Sequence, residues 1–266
     1  MIAANTWKEI RFITVLYVLL LESVLVIAVF AWPGLRDETE TLGPIRSLMP
    51  ADFLKRMVTD VMSRDADVAY NAYMAIQMFF KANNVIGAAC ACLFGTAIIA
   101  RERENQTLEL LLSRPVSRSR ILFSKFSVCV LALIVPIFLT SWSAIPLSWA
   151  IDENLPFDRV TVSAGYSAAF CLVFLALNAA FSTRLRTQID VAFVVGAVIV
   201  FQVCIYFIPD IRAYSWFRLS DYDVHLPILA GHTTATDLLL GKGGMLLLAT
   251  GVAYGVADRL FAKAEL

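Results

Sequence analysis

Few residues in this chain have the types and spacing that chemistry requires. The two histidines, His225 and His232, share a stretch with Asp221 and Asp223. These four could hold a metal ion, but their spacing fits no strict ligand template. No HExxH or GxSxG string occurs, so neither a zinc hydrolase nor a serine nucleophile elbow is encoded. The five cysteines all fall within apolar runs, where a thiol packs as a small hydrophobe, and no disulfide framework is expected. Cys90 and Cys92 stand two apart on a helix and point to different faces. Gly241, Lys242, Gly243 and Gly244 lack the spacing of a phosphate-binding loop. The chain reads as non-catalytic, without a cofactor or metal of its own.

A different set of residues stands out, namely polar groups inside apolar runs. Glu22 sits in the middle of one such run, where an ionised carboxylate costs about 3 kcal/mol unless paired or hydrated. Lys81, Asn83 and Asn84 enter another. Glu22, Lys81 and Asn84 are candidates for lining a translocation pathway. The alternative is structural: amides join helices by hydrogen bonds worth about 0.6 kcal/mol each, and a lysine snorkels to the interface. Asn178 and Gln202 read as such glue. Gly87, Ala91 and Gly95 place small residues every fourth position, a face for close helix packing.

The elements that must position these groups follow from hydropathy. Of the 266 residues 59% are hydrophobic, against roughly 45–50% in soluble domains, and mean hydropathy is +0.72. A helix needs about 20 apolar residues to cross a bilayer. Six segments qualify, at about 12–32, 78–100, 121–150, 161–182, 190–209 and 243–261. The fold class is therefore all-α, a polytopic membrane protein forming one permease-like domain over 1–266. The third segment is long enough to tilt, or to bend at Pro136 and Pro146. The first is too long for a signal peptide core and reads as a retained span.

Orientation follows from the basic residues, since Lys and Arg stay on the cytoplasmic side. Lys8 and Arg11 precede the first span; Arg101, Arg103, Arg114, Arg118, Arg120 and Lys125 lie between the second and third; Arg184 and Arg186 follow the fourth; Arg259 and Lys263 close the chain. Both termini are placed in the cytoplasm, with the protein in the cytoplasmic (inner) membrane. The 33–77 loop carries Asp37, Glu38, Glu40, Asp52, Asp60, Asp65 and Asp67 against Arg36, Arg46, Lys55, Arg56 and Arg64, and is placed outside. Within it Phe53, Leu54, Met57, Val58, Val61 and Met62 recur at helical spacing, giving an amphipathic helix that acts as a substrate-gating cap or a structural cover. Trp32, Trp142, Trp149 and Trp216 mark span ends. Trp7, Ile10, Phe12 and Ile13 with Lys8, Glu9 and Arg11 suggest a short interfacial helix at the N-terminus. Twenty-two basic residues balance twenty-two acidic ones, so no global field attracts nucleic acid.

The most informative stretch is the 101–125 loop, RERENQTLELLLSRPVSRSRILFSK. Leu108, Leu111 and Leu112 share a helical face, and Pro115 ends the helix near Ser113. A short amphipathic helix with an arginine rim binds anionic lipid head groups, or docks a cytoplasmic partner whose groove takes the leucines.

This loop resembles that of the ABC transporter type 2 permeases. The ordered elements are Glu102, Arg103 and Glu104, then Thr107, Leu108 and Glu109, the leucine pair Leu111 and Leu112, Pro115, Ser117 with Arg118, and Lys125. One departure is Gln106, where the family usually places Gly for a tight turn. The resemblance implies a permease subunit of an exporter, energised by a separate ABC ATPase that binds ATP and Mg. It further implies a coupling helix at about 104–113, a second ATPase contact at 183–188 including Arg184 and Arg186, and a second permease copy, identical or related. The competing reading is an ion- or proton-coupled secondary transporter using Glu22 and Lys81 without an ATPase. Such a protein often shows repeated halves, and no internal repeat is evident.

Overall fold

The computed structural model describes residues 2–37, 52–63, 65–113 and 115–263. Glu38, Glu40, Arg46, Arg64 and Arg114, and the side chains of Asp52, Phe53 and Leu54, lie outside the described residues. In chain order the α-helices are α1 (Ile2–Asp37), α2 (Asp52–Val61), α3 (Ala66–Met74), α4 (Gly87–Thr96), α5 (Ala100–Glu104), α6 (Leu108–Leu112), α7 (Arg118–Trp149), α8 (Phe157–Ser182), α9 (Gln188–Phe207), α10 (Tyr222–Leu229), α11 (Ala235–Leu240) and α12 (Lys242–Ala262). Among the described residues there is no strand. Six helices are long and apolar enough to cross a membrane: Ile2–Arg36, Asp67–Thr96, Arg118–Trp149, Phe157–Ser182, Gln188–Phe207 and Lys242–Ala262.

Two of these differ from the sequence expectation. The N-terminal residues form no separate interfacial helix, because α1 runs unbroken from Ile2 to Asp37. The second span starts at Asp67 rather than near Met78, joining α3, a π-helical stretch Ala75–Ile86 and α4. Its added turns carry Asn71 and tyrosines, so hydropathy hides them, yet they are buried by neighbouring helices. The third span passes both Pro136 and Pro146 as one helix.

The fourth span is the axis of the bundle, packing against the second, third and sixth, while the first lies along the third and second. Close approach of the second and fourth spans depends on glycine: a Cβ at Gly95 would come within 2.1 Å of the Asn178 Cβ, and one at Gly87 within 2.7 Å of the Cys171 Sγ. The small-residue face is thus a packing surface. The π-helical stretch turns Ala82, Asn83 and Asn84 inward together. Its loosened backbone leaves the Asn83 carbonyl free to accept the Cys171 thiol at 3.2 Å.

The expected amphipathic helix of the 33–77 loop is α2, with Met57 buried and Asp60 accepting a hydrogen bond from the Tyr222 hydroxyl. Beside it Trp32 packs on Tyr70 and Tyr73, and the Trp32 indole donates to Glu153 at 2.8 Å. This aromatic cluster marks one end of the bundle. The other end gathers both chain termini, the 97–117 loop and the 183–187 turn, and is called the basic end below.

Candidate functional site at the basic end

The basic end is built around the break between the second and third spans. After Thr96 the helix ends, and the amides of Ile99 and Ala100 donate to the Ser182 hydroxyl at 2.9 and 2.8 Å. That hydroxyl satisfies two backbone donors that the break would otherwise orphan. The single coupling helix expected over 104–113 is two short ones, α5 and α6, joined by a turn at Asn105 and Gln106. Gln106 adopts φ 56°, the left-handed region that glycine occupies more easily. The turn therefore forms without glycine, at some backbone strain.

Each charged residue of α5 reaches a different span. The Lys125 ammonium, on the third span, donates to Glu102 at 2.7 Å, and the Thr107 hydroxyl donates to the other carboxylate oxygen. Lys125 is only 2% exposed. Burial pushes the Glu102 carboxyl up, but the hydrogen bonds from Lys125 and Thr107 outweigh it and hold the group below the usual carboxylate range. The Arg103 guanidinium donates to the carbonyls of Thr183, Arg184 and Leu185 at 3.0–3.2 Å, closing the end of the fourth span. Glu104 accepts from the backbone and side-chain nitrogens of Gln188 at 3.1 and 2.9 Å, capping the start of the fifth. Those two bonds lower its pKa. Arg101 lies 3.9 Å from Glu9 on the first span, and Arg118 donates to Ala262 at the end of the sixth.

The expected partner-binding residues are therefore also internal fasteners. Leu111 is 8% exposed and faces the chain's own core, with Leu108 and Leu112 half-buried beside it. Leu110 is 68% exposed, and Glu104, Asn105, Gln106, Glu109, Arg184 and Arg186 are exposed as well. Thr107 is half-buried, and Pro115 is exposed just after α6. A recess of about 250 Å³ opens between α1 and α6, lined by Asn5, Thr6, Glu9, Glu102, Leu110 and Lys125. Sequence reasoning missed Ser182 and Leu110, and the bond of Gln188 to Glu104. Leu110 follows from the same periodicity read on the opposite face, whereas Ser182 and Gln188 act across more than 80 residues and leave no local signal.

The candidate pathway residues separate from one another. Glu22 is half-buried and accepts from the Ser143 hydroxyl on the third span at 2.9 and 3.1 Å. Lys81 is exposed and donates to Gln77 at 2.9 Å. Asn84 is fully buried, and its amide nitrogen donates to the Ser220 carbonyl at 2.6 Å and lies 3.1 Å from His225 Nε2. Burial pushes the His225 imidazole down to about 3, so it stays neutral. Asp221 is held by Arg212 at 2.6 Å. Among the described residues no cluster of three His, Cys, Asp or Glu side chains could hold a metal.

Six apolar spans, joined at one end by a charged loop that reaches four of them, define a multi-pass membrane protein. The ABC-2 family transporter protein profile matches residues 6–229, and the chain belongs to that family of membrane permeases. No functionally curated protein matches it.

Proposed function

We propose that this permease is the membrane subunit of an exporter driven by a separate ABC ATPase, with the basic end in the cytoplasm and a second permease copy completing the pathway. The observation that carries this reading is the basic end itself. Leu110 is exposed, as are Glu104, Glu109, Arg184 and Arg186, and the loop that carries it is fastened to the third, fourth and fifth spans by hydrogen bonds. A push on this loop would be passed to the helices to which Glu102, Arg103 and Glu104 are bonded. Lipid binding alone requires no such fastening. The charged rim supplies complementarity that fixes partner register, and the leucine supplies apolar contact. On this reading Leu111 supports α6 from within, and Leu110 makes the contact.

The test is purification of the tagged chain from native membranes in mild detergent. The proposal expects a nucleotide-binding chain to co-purify with magnesium-dependent ATP hydrolysis. A chain that transports in vesicles with neither would move the assignment to a secondary transporter.

A further inference from the structure

The second span is enclosed on most sides, by the first, third, fourth and fifth spans. The first and fifth make no substantial contact with each other, so the second span lies open between them. Along that opening run Gln77, Lys81, Val85, Ala89 and Leu93, at four-residue spacing. Lys81, Ala89 and Leu93 are exposed, and Gln77 and Val85 are half-buried.

Lys81 is the one cation deep within a span among the described residues. The other basic residues of the spans lie near their ends, at Lys8, Arg11, Arg36, Arg118, Arg120, Lys125, Arg159, Lys242 and Arg259. Lys81 lies eight residues inward of Tyr73, in the aromatic cluster taken to mark the interface, so about 12 Å below it at helical rise. Its ammonium reaches only one turn outward, to Gln77, a neutral partner. No carboxylate pairs with it among the described residues, and Glu22 is instead bonded by Ser143. An ammonium at that depth requires water or an anion, and the hydrocarbon of the bilayer supplies neither.

We infer that the Gln77–Lys81–Ala89 strip is a water-exposed wall of the translocation pathway and that Lys81 selects for anionic cargo. This inference rests on the transport reading above, with the second copy closing the opening between the first and fifth spans. Two lysines then face one lumen, and low-dielectric walls strengthen their field on an entering anion. Gln77 holds each ammonium in place without neutralising it.

The experiment uses the full chain in permeabilised native membranes, with Cys204→Ala to remove the exposed thiol; the other four cysteines are buried. Ala89→Cys is then labelled with a negatively charged methanethiosulfonate, a positively charged one, and a lipophilic maleimide. Both charged reagents should react, and the anionic reagent should be favoured by about tenfold once each rate is normalised to a free thiol. Lys81→Arg should retain that preference, Lys81→Gln should lose it and Lys81→Glu should invert it. Reaction with the maleimide alone would make the strip lipid-facing and overturn the inference. A preference unchanged by Lys81→Glu would overturn the assignment to Lys81. No step needs an ATPase, so a wet, anion-selective strip in a chain that purifies without one would break the exporter reading alone.

Discussion

The two ends of the bundle hold their loops by different physics. At the basic end the bonds are charge-assisted and run from one short loop to several spans: Glu102 with Lys125, Arg103 with the last carbonyls of the fourth span, Glu104 with the first amide of the fifth. At the opposite end Asn84, Ser220 and His225 form a neutral buried cluster beside the Arg212–Asp221 pair, and the His225 ring is stacked on Phe79 at 5.1 Å. At the basic end the buried Lys125 charge is offset by its direct bond to Glu102. The Asn84–Ser220–His225 cluster is held by neutral groups whose desolvation is modest. The comparison separates a loop suited to transmitting a push from one suited to keeping a seal.

The largest effect should come from breaking the buried Lys125–Glu102 pair. Lys125→Met leaves the Glu102 carboxylate without its ammonium, and such losses cost about 3–5 kcal/mol. The expected outcome is a steep fall in the melting temperature of the detergent-solubilised chain, partly recovered by adding Glu102→Gln. If both variants melt like the parent, the basic end is not held by this pair.

At the opposite end, Asn84→Ala removes the donor to the Ser220 carbonyl and leaves a buried acceptor unpaired, for a loss of about 1–3 kcal/mol. Unfolding in denaturant should register that loss with little change on adding salt, whereas the parent's basic-end bonds respond to ionic strength. A salt-sensitive Asn84→Ala defect would erase the distinction between the two ends.

One carboxyl at that end carries a pH signature. Burial, reinforced by Asp223, raises Asp221 from 3.8 to about 6 in spite of Arg212. Because the folded carboxyl holds its proton more tightly than an unfolded one, its contribution is most favourable below about pH 4. Stability declines as pH rises from there to about 6, and the penalty is complete above that. Asp221→Asn keeps an acceptor for the Asp223 amide that Asp221 caps, and should flatten this slope. A slope that persists in the variant belongs to another group.

The smallest effect is at the α5–α6 turn. Gln106→Gly relieves a left-handed non-glycine residue but adds unfolded-state entropy, so a net gain below about 1 kcal/mol is expected, read as a small rise in melting temperature. A loss would mean that the Gln106 side chain contributes a contact.

Much of this architecture was legible in the sequence, and the failures have specific causes. Apolar length announced six spans, since each must satisfy its backbone within one helix. Length failed for the start of the second span, where Asn71 and Gln77 lower hydropathy although neighbouring helices cover that segment. The leucine periodicity of 108–112 was read correctly as an amphipathic helix. Pattern alone does not say whether the apolar face meets a partner or the chain itself, and here Leu111 turns inward. Gln106 showed that a motif's glycine can be replaced where the backbone tolerates strain. The Arg103 bonds to residues 183–185 join segments about 80 positions apart, and only the packing of the second span on the fourth brings them together.

The most direct test of the central claim is the amount of ATPase retained by Leu110→Asp during purification from native membranes, with the melting temperature measured on the same sample. The account predicts a chain that melts like the parent and has lost its ATPase, because Leu110 is exposed and supports no core. An ATPase retained at the parent's ratio would contradict the placement of the coupling contact on α6.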